Sequence, residues 1–211
     1  MPSCLHAGLV ALALTLTAPG VATAQKWADP PLRGAELLAA LRAGGYVLYF
    51  RHADTDWSQK DTRGMNLDDC TVQRNLSARG RDNARAIGAA IRELGIPIGS
   101  VLASPLCRTV ETAMLAFGIA EKSMAVLEGG PLPPGSQGRY SALSALLSTP
   151  PPPGTNTVLV GHAYPFYALV GAQYLEEGEA GIVRPRGTEF EVVARIWVNQ
   201  WRDLAPGPAG R

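Results

Sequence analysis

Short apolar runs alternate with amphipathic helical patterns along most of this chain. Four runs are rich in β-branched and aromatic residues and predict buried strands: residues 46–50, 101–103, 157–160 and 189–197. Between them, apolar residues recur at helical spacing, as in Ala84, Ile87, Ile91 and Leu94, and the glycines Gly95 and Gly118 end such patterns. This alternation predicts an α/β sandwich on a mostly parallel sheet.

Two histidines and two arginines stand where predicted strands end. Beyond residue 24 the only histidines are His52, preceded by Tyr-Val-Leu-Tyr-Phe-Arg51, and His162, preceded by Thr-Val-Leu-Val-Gly. Arg108 follows a third strand, in the first turn of the next helix. Parallel strands end at one edge of a sheet, so these four side chains are expected to meet there. The runs themselves contain no carboxylate, and a phosphate would neutralise the cations. The alternative is two unrelated core histidines.

The segments around these residues resemble the three motifs of the histidine phosphatase superfamily, the phosphoglycerate mutase-like proteins of branch 1. Arg51-His52-Ala-Asp-Thr-Asp-Trp-Ser resembles the first motif, Ser-Pro-Leu-Cys-Arg108-Thr-Val-Glu-Thr-Ala the second, and Val-Leu-Val-Gly-His162 the third. The resemblance implies a three-layer α/β/α sandwich with a sheet of about six strands, all parallel except one edge strand. It also implies a phosphatase.

By this resemblance, His52 is the nucleophile, and Arg51, Arg108 and His162 hold the phosphoryl oxygens. The chemistry of the side chains agrees. An imidazole is nucleophilic when neutral, and its ordinary pKa near 6.5 makes that form accessible. Guanidinium forks match phosphate geometry and stay charged. Such a site needs no metal and no other cofactor, and its partner is a small phosphorylated substrate.

Three further residues complete the expected site. Many members of the family carry a carboxylate after the second motif that protonates the leaving group, and Glu128 is the candidate; the alternative is an exposed loop glutamate. Glu111 lies on the helix that carries Arg108, where an ion pair suits it better than proton transfer. Ser58 stands where mutase-like members often have an asparagine phosphate ligand. Arg74 is either a contact at the substrate rim or a surface charge.

Departures from the family pattern favour a phosphatase over a glycolytic mutase. Ala53 replaces the usual glycine after the nucleophile, and Ala163-Tyr-Pro follows His162. The favoured reaction is hydrolysis of a phosphomonoester. Hydrolysis of a pyrophosphate or phosphoprotein, and a non-catalytic phosphate-binding module of the same fold, are the alternatives.

The first 24 residues predict an export signal. They contain no Asp, Glu, Lys or Arg, and an apolar run at 9–16 precedes Pro-Gly and Ala-Thr-Ala24. This pattern predicts cleavage after Ala24 and a periplasmic or secreted protein without stable membrane insertion. Residues 25–211 then form a single histidine phosphatase domain with a frayed tail from Ala205. A buried N-terminal helix, or a start codon assigned too late, is the alternative.

Cysteine usage agrees with export. Cys4 would leave with the signal, and the remaining pair, Cys70 and Cys107, predicts a disulfide in an oxidising compartment. With 36 residues between the two cysteines, the closed loop is worth about 3–4 kcal/mol in the chain-entropy model. The alternatives are two buried thiols, or a disulfide that switches the neighbouring Arg108.

The charge balance of the chain argues against nucleic acid and anionic membranes as partners. Its 19 basic and 18 acidic residues give a formal net charge of +1. So balanced a chain has no general electrostatic attraction for nucleic acid or an anionic membrane. Anion recognition must therefore come from a local group of cations.

Overall fold

The computed structural model describes residues 26–128, 138, 140–171 and 174–205. The strands are β1 (Val47–Arg51), β2 (Ile98–Ala103), β3 (Glu121–Lys122), β4 (Asn156–Gly161), β5 (Ala180–Pro185) and β6 (Phe190–Ile196). The α-helices are α1 (Gly34–Ala43), α2 (Ala78–Glu93), α3 (Cys107–Phe117), α4 (Ser141–Ser148) and α5 (Ala163–Val170). The predicted signal peptide, with Cys4 and its cleavage site, and the tail beyond Ala205 lie outside the described residues. Within the described ranges, no helix is both long and apolar enough to cross a membrane.

The six strands form one mixed sheet in the order β3-β2-β4-β1-β5-β6. Strands β3, β2, β4 and β1 are mutually parallel, whereas β5 pairs antiparallel with both β1 and β6. The expectation of about six strands with one antiparallel member is confirmed. The expectation that this strand lies at the edge is wrong, because β5 and β6 form a hairpin, and a short connection makes neighbouring strands antiparallel. Strand β6 is therefore the edge strand on this side of the sheet, opposite β3, and it runs parallel to β1.

Alternate residues of the central strand β1 face two separate helical layers. Leu48 and Phe50 pack with the buried residues of α1, α2 and α3. Val47 and Tyr49 pack with those of α4 and α5. Because successive side chains of a strand point to opposite faces, this partition gives the predicted three-layer α/β/α sandwich.

Local sequence signals account for most helix ends. The Ser77 hydroxyl accepts a hydrogen bond from the Gly80 amide at 3.0 Å and caps α2. Gly118 ends α3 in a left-handed conformation, with φ of 76°. Pro165 falls in the first turn of α5, where its missing amide hydrogen costs no helical bond.

Candidate active site

The carboxyl ends of β1 and β4 place two histidines side by side. Arg51 is paired with Gly161 in the parallel register, and the next residue of each strand is a histidine. The His52 amide donates to the Gly161 carbonyl at 3.0 Å, which carries the alignment past the strand ends. The ring centroids of His52 and His162 lie 5.5 Å apart at an interplanar angle of 65°, and both residues are buried.

The His52 ring is fixed in one tautomer by its own chain. Its Nδ1 lies 2.9 Å from the carbonyl oxygen of Ala53. A carbonyl only accepts hydrogen bonds, so Nδ1 carries the hydrogen and Nε2 keeps a free lone pair. Burial, with the positive charges of Arg108, Arg51 and Arg74, holds the pKa of His52 well below its usual value. The imidazole is therefore neutral, the form that can act as a nucleophile.

Tyr49, in strand β1, holds the backbone of His162 through its hydroxyl group. Its hydroxyl donates to the His162 carbonyl at 2.8 Å and accepts from the His162 amide at 3.1 Å. The same hydroxyl approaches Gly161 so closely that a Cβ there would lie 2.4 Å from it. Glycine at 161 thus permits the contact that fixes the following histidine.

The His162 imidazole lies between a hydroxyl and a carboxylate. Its Nε2 is 2.9 Å from Oγ of Ser104, the residue that follows β2. Its Nδ1 has no hydrogen bond among the described residues, although Oε2 of Glu128 lies 3.5 Å away. Burial, followed by His52 and the neighbouring arginines, holds the pKa of His162 well below its usual value. This ring, too, is neutral.

Arg108, in the first turn of α3 as expected, is almost completely buried beside the histidines. Its Nη1 donates to Oδ1 of Asp61 at 3.0 Å and lies 3.5 Å from the carbonyl oxygen of Arg74. Its Nη2 is 3.8 Å from Oε2 of Glu128, and its Nε has no hydrogen-bond partner among the described residues. The Nη1 end of the guanidinium is therefore hydrogen-bonded, whereas its Nε is buried without a hydrogen bond and its Nη2 faces Glu128.

Arg51 is held by the segment that leads into β5. Its Nη1 donates to the Leu175 carbonyl at 2.9 Å, and its Nη2 lies 3.3 Å from Oε1 of Glu177. Glu177 also accepts from the amide and hydroxyl of Thr55, at 3.1 and 2.8 Å. The strand-end runs contain no carboxylate, as the sequence shows, but carboxylates from elsewhere in the chain reach Arg51 and Arg108. Asp61 and Glu177 come from other segments and pair with them.

Arg74 belongs to the same electrostatic group. Its guanidinium stacks on the ring of Trp57 at 4.0 Å from the centroid, and Trp57 is 69% exposed. Its charge lowers the pKa of both His52 and His162, while burial and Arg108 lower its own. Arg74 is therefore electrostatically coupled to both histidines, and its role as a substrate contact stays a prediction.

Glu128 lies beside His162, whereas Glu111 and Ser58 pair with other residues. The Glu128 side chain is 38% exposed and reaches His162 from the loop after β3. Glu111 forms an ion pair with Arg81 at 2.6 Å, so the expectation of an ion pair holds with a different arginine. Ser58 lies exposed in the loop after β1, where its hydroxyl donates to Asp56 at 2.7 Å. Asp61, Glu177 and Ser104 were not predicted from the sequence. Ser104 stands directly after a predicted strand, whereas the two acids lie outside every motif.

The predicted disulfide between Cys70 and Cys107 is present, with the Cα atoms 5.7 Å apart. It joins the loop after β1 to the first residue of α3, next to Arg108. Gln73 makes a second link, because its Oε1 accepts from the Cys107 amide and its Nε2 donates to the Leu67 carbonyl, both at 2.9 Å. The loop that carries Asp61 and Arg74 is thus tethered to the helix that carries Arg108.

The part of the chain that the structure describes contains no group of three or more His, Cys, Asp or Glu side chains that could hold a metal ion.

Comparisons with known proteins point to one family. Residues 47–129 match the sequence model of the histidine phosphatase superfamily (branch 1). The fold is similar to that of the protein histidine phosphatase SixA, solved with tungstate, with a TM-score of 0.50 at 17% identity over 74% of this chain and 98% of that one. It is also similar to TTHB049 from Thermus thermophilus, with a TM-score of 0.50 at 20% identity over 72% of this chain and 99% of that one. No curated protein sequence matches the chain.

Proposed function

Because the chain belongs to branch 1 of the histidine phosphatase superfamily, we propose that it hydrolyses phosphomonoesters through a covalent phosphohistidine at His52, outside the cytoplasm. One observation carries this proposal. The bond from Nδ1 of His52 to the Ala53 carbonyl leaves Nε2 with a free lone pair in a neutral ring, among the guanidinium groups of three arginines. A nucleophilic nitrogen surrounded by cations suits attack on a phosphorus that carries anionic oxygens.

The arginines and His162 bind the phosphoryl oxygens. Arg108 offers Nε, which has no hydrogen bond among the described residues, and Nη2, which faces Glu128 at 3.8 Å, as a fork for two oxygens. Arg51 and Arg74 add positive charge near the two histidines. SixA is described as a tungstate complex, and tungstate is a tetrahedral oxyanion like phosphate, which supports an oxyanion site in this fold.

The reaction proceeds in two displacements. Nε2 of His52 attacks phosphorus, the bond from phosphorus to the ester oxygen breaks, and the Glu128 carboxyl gives its proton to the departing alkoxide. Water then attacks the phosphohistidine, Glu128 takes a proton from it, and the P–N bond breaks to release phosphate and restore the lone pair on Nε2. Charge stabilisation by the arginines lowers both barriers.

The place of Glu128 favours an enzyme over a phosphate-binding module. Its Oε2 lies 3.5 Å from His162 and 3.8 Å from Arg108, beside the groups that would hold the phosphoryl oxygens. A binding module has no need of such a group.

Export is supported by the predicted signal at residues 1–24 and by the disulfide. Disulfides form and persist in oxidising compartments such as the periplasm and the extracellular space. The bridge between Cys70 and Cys107 therefore suits a protein that acts there.

The test is a His52→Asn variant assayed on p-nitrophenyl phosphate. Asparagine removes the nucleophile but keeps a polar side chain, so turnover should disappear while phosphate binding, measured by calorimetry, persists. Rapid quenching of the wild-type reaction should trap an acid-labile, base-stable phosphoenzyme that the variant lacks. Near-normal turnover by the folded variant would refute the nucleophile, and strong inhibition by a chelator would contradict a metal-free mechanism.

A further inference from the structure

Asp61 fixes the orientation of Arg108 from the side remote from the open fork. Its Oδ1 accepts from Nη1 of Arg108 at 3.0 Å, and Nη1 is not part of the edge formed by Nε and Nη2. Nε has no partner among the described residues, and Nη2 lies 3.8 Å from Glu128. Asp61 thus bonds Nη1, a donor that a phosphate bound to Nε and Nη2 would not need.

The same oxygen of Asp61 links the two arginine-bearing segments. It also accepts from the backbone amide of Arg74 at 2.8 Å. The loop around it is fixed, because the next amide, that of Thr62, donates to the Val72 carbonyl at 2.9 Å. One carboxylate oxygen therefore sets the relative positions of a guanidinium on α3 and a backbone segment at the rim.

A buried guanidinium needs such a partner. Arg108 is only 2% exposed, and an unpaired buried charge is strongly destabilising. Its long side chain also has several rotatable bonds, and each loses freedom when the group must present one fixed edge to a ligand. A charged hydrogen bond made before the substrate arrives removes much of that entropy cost from binding and from the transition state.

We propose that Asp61 is a positioning residue that pre-orients Arg108 for the phosphoryl group. This inference rests on the proposed function, since it assigns Asp61 a role in the same oxyanion site. The opposite role, a carboxylate that competes with phosphate for Arg108, predicts that removal of Asp61 tightens phosphate binding. The two roles therefore differ in the sign of one measurable effect.

The experiment compares Asp61→Ala and Asp61→Asn with Asp68→Ala, a matched control in the same loop. Asp68 is exposed and pairs with Lys122 at 2.6 Å. Asp61→Ala should lower kcat/KM for p-nitrophenyl phosphate about 10- to 100-fold, the usual effect of misplacing a group by about an ångström. It should weaken orthophosphate binding in calorimetry as well. Asparagine keeps an oxygen that accepts both hydrogen bonds and should recover most of the loss, while the control should stay near wild type.

A double-mutant cycle separates positioning from a general effect on the loop. In an Arg108→Lys background, which has no fork to orient, Asp61→Ala should cost little more. An equal loss in both backgrounds, or tighter phosphate binding by Asp61→Ala, overturns the proposal. Should the alanine variant fail to fold, Asp61→Ser takes its place in the same cycle. Wild-type protein that neither binds phosphate nor hydrolyses the ester would refute the proposed function instead.

Discussion

Oε2 of Glu128 lies 3.5 Å from Nδ1 of His162, a buried nitrogen that has no hydrogen bond among the described residues. Glu128 belongs to the loop after β3, whereas the two histidines directly follow strands β1 and β4. Glu128 also lies 3.8 Å from Nη2 of Arg108, so its carboxyl is beside two of the proposed phosphoryl ligands. This relationship makes Glu128 the candidate proton donor on geometry as well as on sequence.

Replacement of Glu128 by glutamine should slow the hydrolysis of alkyl phosphates most. Loss of a general acid costs about 10²- to 10⁴-fold in rate when the leaving alkoxide needs a proton. p-Nitrophenolate leaves with little help, so its release should suffer much less. Glu111→Gln is the matched control, because Glu111 pairs with Arg81 instead. Equal losses on both substrates would show that Glu128 acts in binding and not in proton transfer.

The buried histidines predict that acid destabilises the fold. Burial and neighbouring cations keep the pKa of His52 and His162 well below the usual value, so both stay neutral in the folded chain. Below about pH 6.5 the unfolded chain binds protons that the folded chain does not, and stability falls by up to about 1.4 kcal/mol per pH unit for each histidine. This loss should continue until the folded-state pKa is reached.

Urea unfolding between pH 8 and pH 5 measures this dependence. A variant with His52→Asn and His162→Gln keeps every carboxylate and loses both imidazoles. Its free energy of unfolding should fall less steeply below pH 6.5 than that of the wild type. Identical slopes for the two proteins would show that carboxylates alone cause the acid sensitivity.

The site residues at strand ends were predictable because each follows, within a few residues, an apolar run that the sequence identifies as a strand. His52, His162 and Arg108 required only that β1, β4 and β2 be parallel neighbours, which short apolar runs between helices already indicate. Asp61 and Glu177 were not predictable in the same way. They reach the arginines through loops, and the path of a loop depends on the tertiary structure rather than on periodicity.

The unpredicted strands have equally physical causes. The two-residue strand β3 is too short to show any period. Strand β5 contains Gly181, a residue type that lowers strand propensity. A Cβ at 181 would lie 2.6 Å from the ring of Phe166, so glycine is present because an aromatic ring on α5 packs directly on the backbone. Close packing thus removed the sequence signal of the strand.

Tyr49→Phe should destabilise the protein and impair catalysis together. The buried hydroxyl bonds both the amide and the carbonyl of His162, and its loss leaves these groups unpaired at a cost of about 1–3 kcal/mol. The ring would remain stacked on Phe166, with the centroids 4.7 Å apart, so the core should stay packed. Tyr46→Phe is the control, since that hydroxyl receives a long hydrogen bond of 3.4 Å from Arg184. Urea unfolding and kcat should both change in the first variant; a change in neither would exclude this role for Tyr49.

Removal of the disulfide should reduce stability and loosen substrate binding without abolishing turnover. In the chain-entropy model, a Cys70→Ser, Cys107→Ser variant should lose about 3–4 kcal/mol of stability. The loop that carries Asp61 would then be held to α3 by hydrogen bonds such as that from the Cys107 amide to Gln73. A rise in KM larger than the fall in kcat is therefore expected, because the histidines remain anchored by the sheet. Dithiothreitol should reproduce these effects in the wild type and have none on the double variant; an equal response of both proteins would place the sensitivity outside this bridge.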